Sequence, residues 1–120
     1  MDQSTDKRRH YRLAAFLEGT FKTQDEKTGL IMITNFTREG VKGSLNRKIG
    51  INQIIKIEMW VPGSIIPIFA QGEVVWIKNA DWEWTYQFDA GIKIIEIDIE
   101  DRQRILDFAY EHWRNARGKV

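Results

Sequence analysis

No cysteine occurs among the 120 residues. Disulfides, thiolate nucleophiles and zinc–thiolate sites are thereby excluded, and the composition suits a reducing compartment. Histidine is scarce as well. His10 and His112 are the only two and lie far apart in sequence, which leaves a histidine-based triad or a histidine metal site short of parts. No stretch approaches the roughly 18 continuous apolar residues of a membrane helix. The opening "MDQSTDKRRHYR" is polar and lacks the apolar centre of a signal peptide. The expected location is therefore cytoplasmic, where the sequon Asn35-Phe36-Thr37 meets no glycosylation machinery. An excess of one charge sign is missing too. Lysine and arginine total 18 against 17 acids, a net charge of +1, unlike the basic stripe of a duplex-DNA binder. No catalytic residue, metal ion or cofactor is expected.

What is present suits one globular domain. At 120 residues, 42% of them hydrophobic, folding buries roughly two-thirds of the chain's surface and supplies a core without staples. Residues 1–6 are read as a disordered polar tail and 7–118 as the domain. In "RLAAFLEGTFKT" the apolar period is two: Leu13, Ala15, Leu17 and Phe21 share a face opposite Arg12, Glu18, Thr20 and Lys22, the pattern of a half-buried strand. "QDEKTG" (24–29) is a turn, and "LIMIT" (30–34) is the returning strand. "VKGSLN" (41–46) and "IIKIEMWV" (54–61) continue the pattern, the latter with Ile55, Ile57, Met59 and Val61 in phase. After the bend "VPGSIIP" (61–67), "IFAQGEVVWIK" (68–78) and "TYQFDAGIKIIEI" (85–97) read as the arms of a hairpin with its tip at 79–84. About six short-linked antiparallel strands predict a small β-barrel or sandwich.

The period changes near residue 98. Ile105, Leu106, Ala109, Trp113 and Ala116 fall on one side of a helix. Asp98 or Glu100 is placed to cap it, with acids in its first turn and basic residues near its end. Such a helix makes a lid for an open barrel end. The acidic run "EIDIED" (96–101) is accordingly read as a helix start rather than a metal or acid–base cluster. Of the five tryptophans, Trp60 and Trp76 lie in strand patterns and Trp113 on the helix stripe, where core packing is the default. Trp82 and Trp84 flank the hairpin tip, as an interaction patch or as cross-ladder packing.

Two segments carry recognition chemistry. "KRRHYR" (7–12) concentrates Lys7, Arg8, Arg9 and Arg12 in an otherwise balanced chain. Arg8 and Arg12 stand about 13 Å apart in extended chain at roughly 3.3 Å per residue, and converge if the segment curls. Arginine's planar fork matches phosphate oxygens or the N7 and O6 edge of guanine. On its own the segment is either an anion clamp or a basic arm held by surface acids. "NFTREG" (35–40) follows a strand with Asn35, Thr37 and Gly40 at the spacing N-x-T-x-x-G. It is a well-made turn in which glycine supplies a positive φ or a close backbone approach. Its amide and hydroxyl can also meet a guanine edge and a phosphate.

Together these segments resemble the signature of PilZ domains, bacterial receptors for cyclic di-GMP: R-x-x-x-R before the first strand, then [DN]-x-[SA]-x-x-G. Arg8-Arg9-His10-Tyr11-Arg12 and Asn35-Phe36-Thr37-Arg38-Glu39-Gly40 fit the pattern in order. "GEVVWI" (72–77), "FDAGIKI" (88–94) and the closing helix extend the likeness over most of the chain. The resemblance implies a six-stranded antiparallel barrel with a C-terminal amphipathic helix and no enzymatic activity. It implies that Arg8, Arg9 and Arg12 wrap guanine and phosphate, that Asn35 meets a guanine edge and Thr37 a phosphate or base, and that Gly40 shapes the loop. Lys7, Arg38 and Trp76 are further candidates, Trp76 by stacking on guanine. Thr37 departs from the serine or alanine of the pattern but keeps a hydroxyl. The expected output is a changed surface, presented in trans to a protein partner when ligand orders the basic arm, with motility, pili or exopolysaccharide as the family's usual targets. Two other readings remain: a nucleotide-independent adaptor, or a barrel that binds single-stranded nucleic acid through arginines and aromatics.

Overall fold

The computed structural model describes residues 13–36, 40–80 and 85–118. These form six strands and one helix: β1 (Leu13–Thr23), β2 (Thr28–Phe36), β3 (Gly40–Leu45), β4 (Ile54–Met59), β5 (Ile68–Asn79), β6 (Phe88–Ile97) and α1 (Ile99–Gly118). Every pairing is antiparallel, and the strands close into a barrel in the order β1-β2-β3-β6-β5-β4. Closure removes sheet edges and their unpaired backbone groups. It also seats β3 against β6, a neighbour forty residues and more along the chain.

The two-residue period fills the interior. Leu17, Ile31, Ile33, Leu45, Ile55, Ile68 and Val74 are wholly buried, with Phe21, Ile57, Met59 and Ile92 nearly so. Each such side chain stabilises the fold by about 1.5–3 kcal/mol relative to exposure. In β4 the predicted phase holds: Ile55, Ile57 and Met59 face in, while Lys56 is exposed and Glu58 half-buried. From Leu17 to Thr23 burial alternates along β1 as predicted, and a register shift lies between Ala14, which pairs with Asn35, and Leu17, which pairs with Ile33.

α1 begins as the helix signals predicted. The Asp98 carboxylate accepts from the Glu100 N–H at 2.8 Å, and the Asp98 carbonyl accepts from the Arg102 N–H at 2.9 Å. This makes Asp98 the N-cap, with Glu100 and Asp101 in the first turn facing the positive end of the helix dipole. Ile105 and Ala109 are buried in the barrel's core cluster and Phe108 packs against it. His112 stacks on Phe108 with ring centroids 6.0 Å apart. The side chains of Trp113 and Ala116, and the tip residues Trp82 and Trp84, lie outside the described residues.

Two tryptophans depart from the core packing expected of them. Trp60 follows the last residue of β4, out of phase with the inward Met59, and Trp76 sits on the outer face of β5. They are 37% and 38% exposed.

Candidate ligand-binding site

A single register line crosses four strands on the outside of the barrel. Asn35 of β2 pairs with Lys42 of β3, Lys42 with Gly91 of β6, and Gly91 with Trp76 of β5. Neighbouring strands are about 4.8 Å apart, so the line from Asn35 to Trp76 spans roughly 14 Å. A polar amide, an ammonium group, bare backbone and an indole thus lie along one face.

Backbone irregularities put the two ends of that line outside. Ile33 is wholly buried, so strict alternation would also turn Asn35 inward. The register shift between Ile33 and Asn35 inserts Thr34, and the burial phase resumes with Phe36 inside and Asn35 half-exposed. The Thr34 hydroxyl donates to the Lys42 carbonyl at 3.2 Å, tying the bulge to the next strand. In β5 the same device acts between Val74 and Trp76. Val74 is buried, Val75 is the extra residue, and Trp76 emerges on the surface while Ile77 packs toward the core. β-Bulges re-aim side chains in this way.

Trp76 is seated as well as exposed. The pyrrole part of its indole lies over Gly91, where an added Cβ would overlap the ring. Lys78 Nζ stands 5.8 Å from the indole centroid, within cation–π range. One strand step away, the Ser44 hydroxyl donates to Asp89 at 2.9 Å, and Asp89 pairs with Lys78 in the ladder. This row fixes the side of the platform.

Of the nine candidates read from sequence, Asn35, Gly40 and Trp76 are described; Lys7, Arg8, Arg9, Arg12, Thr37 and Arg38 lie outside the described residues. Leu13, the first described residue, pairs with Phe36, and Ala14 with Asn35. The segment that follows the R-x-x-x-R motif therefore enters the barrel beside the first residue of N-x-T-x-x-G. Asn35 belongs to the ladder of β2 and not to the turn. Gly40 opens β3 opposite Lys93, and a Cβ there would run into the Ile92 carbonyl oxygen. Close backbone approach explains this glycine.

Lys42 and Gly91 were missed by the sequence reading. Lys42 gave only the weak signal of an outward phase between Val41 and Gly43. Gly91 gave none, because its use depends on which strand lies beside β6. Among the described residues no cluster of three or more histidine or acidic side chains is placed to hold a metal ion.

The PilZ domain family model matches residues 6–111. The chain belongs to the PilZ domain family. That family consists of cyclic di-GMP receptors and adaptors, in general without enzymatic activity. Among solved structures, the Bacillus subtilis inhibitor of motility MotI/DgrA aligns with this PilZ domain at a TM-score of 0.68 and 18% identity, over 89% of this chain and 51% of that one. At that identity the likeness is one of fold, and this chain spans about half the length of that protein's chain. A search of curated protein sequences gives no significant match. Among the described residues no helix is long and apolar enough to cross a membrane.

Proposed function

We propose that this PilZ domain is a cytoplasmic cyclic di-GMP receptor that passes its occupancy to a protein partner and catalyses no reaction. The observation that carries the reading is the outward line Asn35–Lys42–Gly91–Trp76, which ends beside the strand that the R-x-x-x-R segment feeds. The ligand has two guanines and two phosphates, and the line offers groups suited to both. Asn35 can pair its amide with a guanine edge, and Lys42 offers a positive charge suited to a phosphate. Trp76 offers an indole for stacking, a contact worth about 1–3 kcal/mol per base. Arg8, Arg9 and Arg12 then supply bidentate contacts to phosphate or to guanine N7 and O6. Lys7, Thr37 and Arg38 are assigned to the same site on the sequence pattern.

Ligand that fastens the arginine segment across this face changes the surface the domain shows to a partner. The signal passed on equals the partner's difference in affinity for the two states. Control of motility, pili or exopolysaccharide is the class of output we assign, in keeping with a fold neighbour that is an inhibitor of motility.

Calorimetric titration with cyclic di-GMP tests the reading, with GTP and a short RNA oligomer as controls. Saturable heat from the cyclic dinucleotide alone is expected, with a shallow salt dependence because only two phosphates are neutralised. Binding of the RNA with a steep salt dependence would move the assignment to single-stranded nucleic acid. Absence of heat with every ligand would leave the adaptor role.

A further inference from the structure

The most exposed apolar side chains of the described residues gather at the opposite end of β5 from Trp76. Ile65 is 93% exposed, Ile66 63%, Phe69 60% and Ile99 80%. Ile65 and Ile66 lie in the loop that leads into β5, and Phe69 is the second residue of that strand. Ala70 pairs with Ile97, the last residue of β6, so Ile99, which opens α1, follows two residues beyond that pairing at the same end of β5 as Phe69. Apolar residues gathered in this way are unusual on a surface that faces only water.

The loop is also built to hold them out. Arg104 of α1 donates through Nη2 to the Ser64 hydroxyl at 2.8 Å and to the Ile66 carbonyl at 2.7 Å, while its Nη1 pairs with Asp101 at 3.1 Å. Ser64 in turn accepts from the Ile66 N–H at 3.3 Å, and its own N–H donates to the Val61 carbonyl at 3.0 Å. A guanidinium is thus spent on fixing the backbone beside two isoleucines that bury little of their surface.

The rim is acidic. Glu58 pairs directly with Phe69, Glu96 with Gln71, and Glu100 adjoins Ile99. Among the described residues none of these three carboxylates has an ion-pair partner. Lys56 lies one outward position away from Glu58 along β4. Two copies of this surface would oppose like charges, which disfavours self-pairing. An apolar centre ringed by carboxylates fits a segment of the opposite make-up.

We propose that the Ile65–Ile66–Phe69–Ile99 crest is the docking surface for a protein partner that presents at least two apolar side chains flanked by lysine or arginine. This deepens the partner half of the function proposed above and does not require the nucleotide half. α1 links the two regions: Arg102, Ile105 and Leu106 line a cleft with Phe36 and Gly40 of the N-x-T-x-x-G segment, while Arg104 of the same turns holds the crest.

The test is to pan a random twelve-residue peptide library against the full chain, with and without cyclic di-GMP. Peptides enriched in apolar pairs flanked by lysine or arginine are expected, with binding reduced about tenfold or more by Ile65→Asp with Phe69→Glu. Both sites are exposed, so an unchanged melting temperature should accompany the loss. Glu58→Lys with Glu100→Lys should instead select peptides with acidic flanks. Such peptides recovered without nucleotide support the crest even if calorimetry shows no cyclic di-GMP binding. Several results would overturn the proposal: no peptide distinguishing the parent chain from Ile65→Asp/Phe69→Glu, selection of acidic flanks by the parent, or self-association in sedimentation that the same substitutions abolish. Movement of crest amide resonances on Arg8→Glu with Arg9→Glu would do so too, by assigning the crest to the chain's own basic segment.

Discussion

Two outer surfaces of one barrel are held in place by different means. The Asn35–Lys42–Gly91–Trp76 line is set by ladder register, two bulges and the backbone approaches at Gly40 and Gly91. The crest at Ile65 and Ile66 is set by a side chain, Arg104, reaching from the helix. A surface fixed by the ladder tolerates changes to its own side chains, because its frame is the frame of the fold. A surface fixed by one clamp can loosen while the barrel stays whole. The proposed receptor role would use that division, with the rigid face for a ligand of fixed shape and the clamped loop for the partner.

The sharpest way to break this comparison is Gly40→Ala. The added Cβ meets the Ile92 carbonyl, which cannot swing aside as a side chain can, so unfolding in urea should show a loss of about 1–3 kcal/mol. Cyclic di-GMP binding should weaken with it, since β3 and β6 must separate locally. A stability equal to the parent's would mean that the ladder bends easily enough to absorb a methyl group.

Arg12→Ala should affect the ligand and spare the fold. A lost hydrogen bond to a charged group costs about 1.5–3 kcal/mol of binding, read by calorimetry, with an unchanged melting temperature. An equal loss of fold stability would make this arginine structural. Trp76→Leu comes next, at about 1–2 kcal/mol of binding for a lost stack. Its stability should barely change, because the indole packs on the outside of Gly91. Large destabilisation there would show that Trp76 acts as a structural cover.

On the other surface, Arg104→Met should cost about 1 kcal/mol of stability and speed amide exchange at Ser64 and Ile66, leaving cyclic di-GMP affinity as it was. Exchange spread evenly over the barrel would erase the distinction between frame and clamp. The smallest effect is expected of Thr37→Ser, which removes a methyl group and keeps the hydroxyl. Calorimetry should show a change below about 0.5 kcal/mol, the scale of substitutions away from packed features.

Much of the fold was legible because it rests on local periodicity. Ile55, Ile57 and Met59 alternate in sequence and in space, and Asp98 caps the helix whose start its own neighbourhood signals. The site was legible in part. Asn35 and Gly40 stood in a recognisable spacing, at the end of β2 and the start of β3. Trp76 was read as core by its strand pattern and as a stacking candidate only through the family resemblance, and Lys42 and Gly91 went unnoticed. In each case the cause is nonlocal: a bulge leaves no reliable mark in single-sequence alternation, and the pairing of β3 with β6 cannot be counted from either strand.

Taken alone, the sequence determined the strand and helix periods, the concentration of charge before β1 and the chemistry available at residues 7–12 and 35–40, since all of these depend on neighbours along the chain. Only the tertiary structure decided that Asn35 and Trp76 share an outer face, that Lys42 and Gly91 lie between them, and that Arg104 props an apolar crest elsewhere on the barrel. Closure and register determine which distant residues become neighbours, and a one-residue bulge reverses the face on which a side chain emerges.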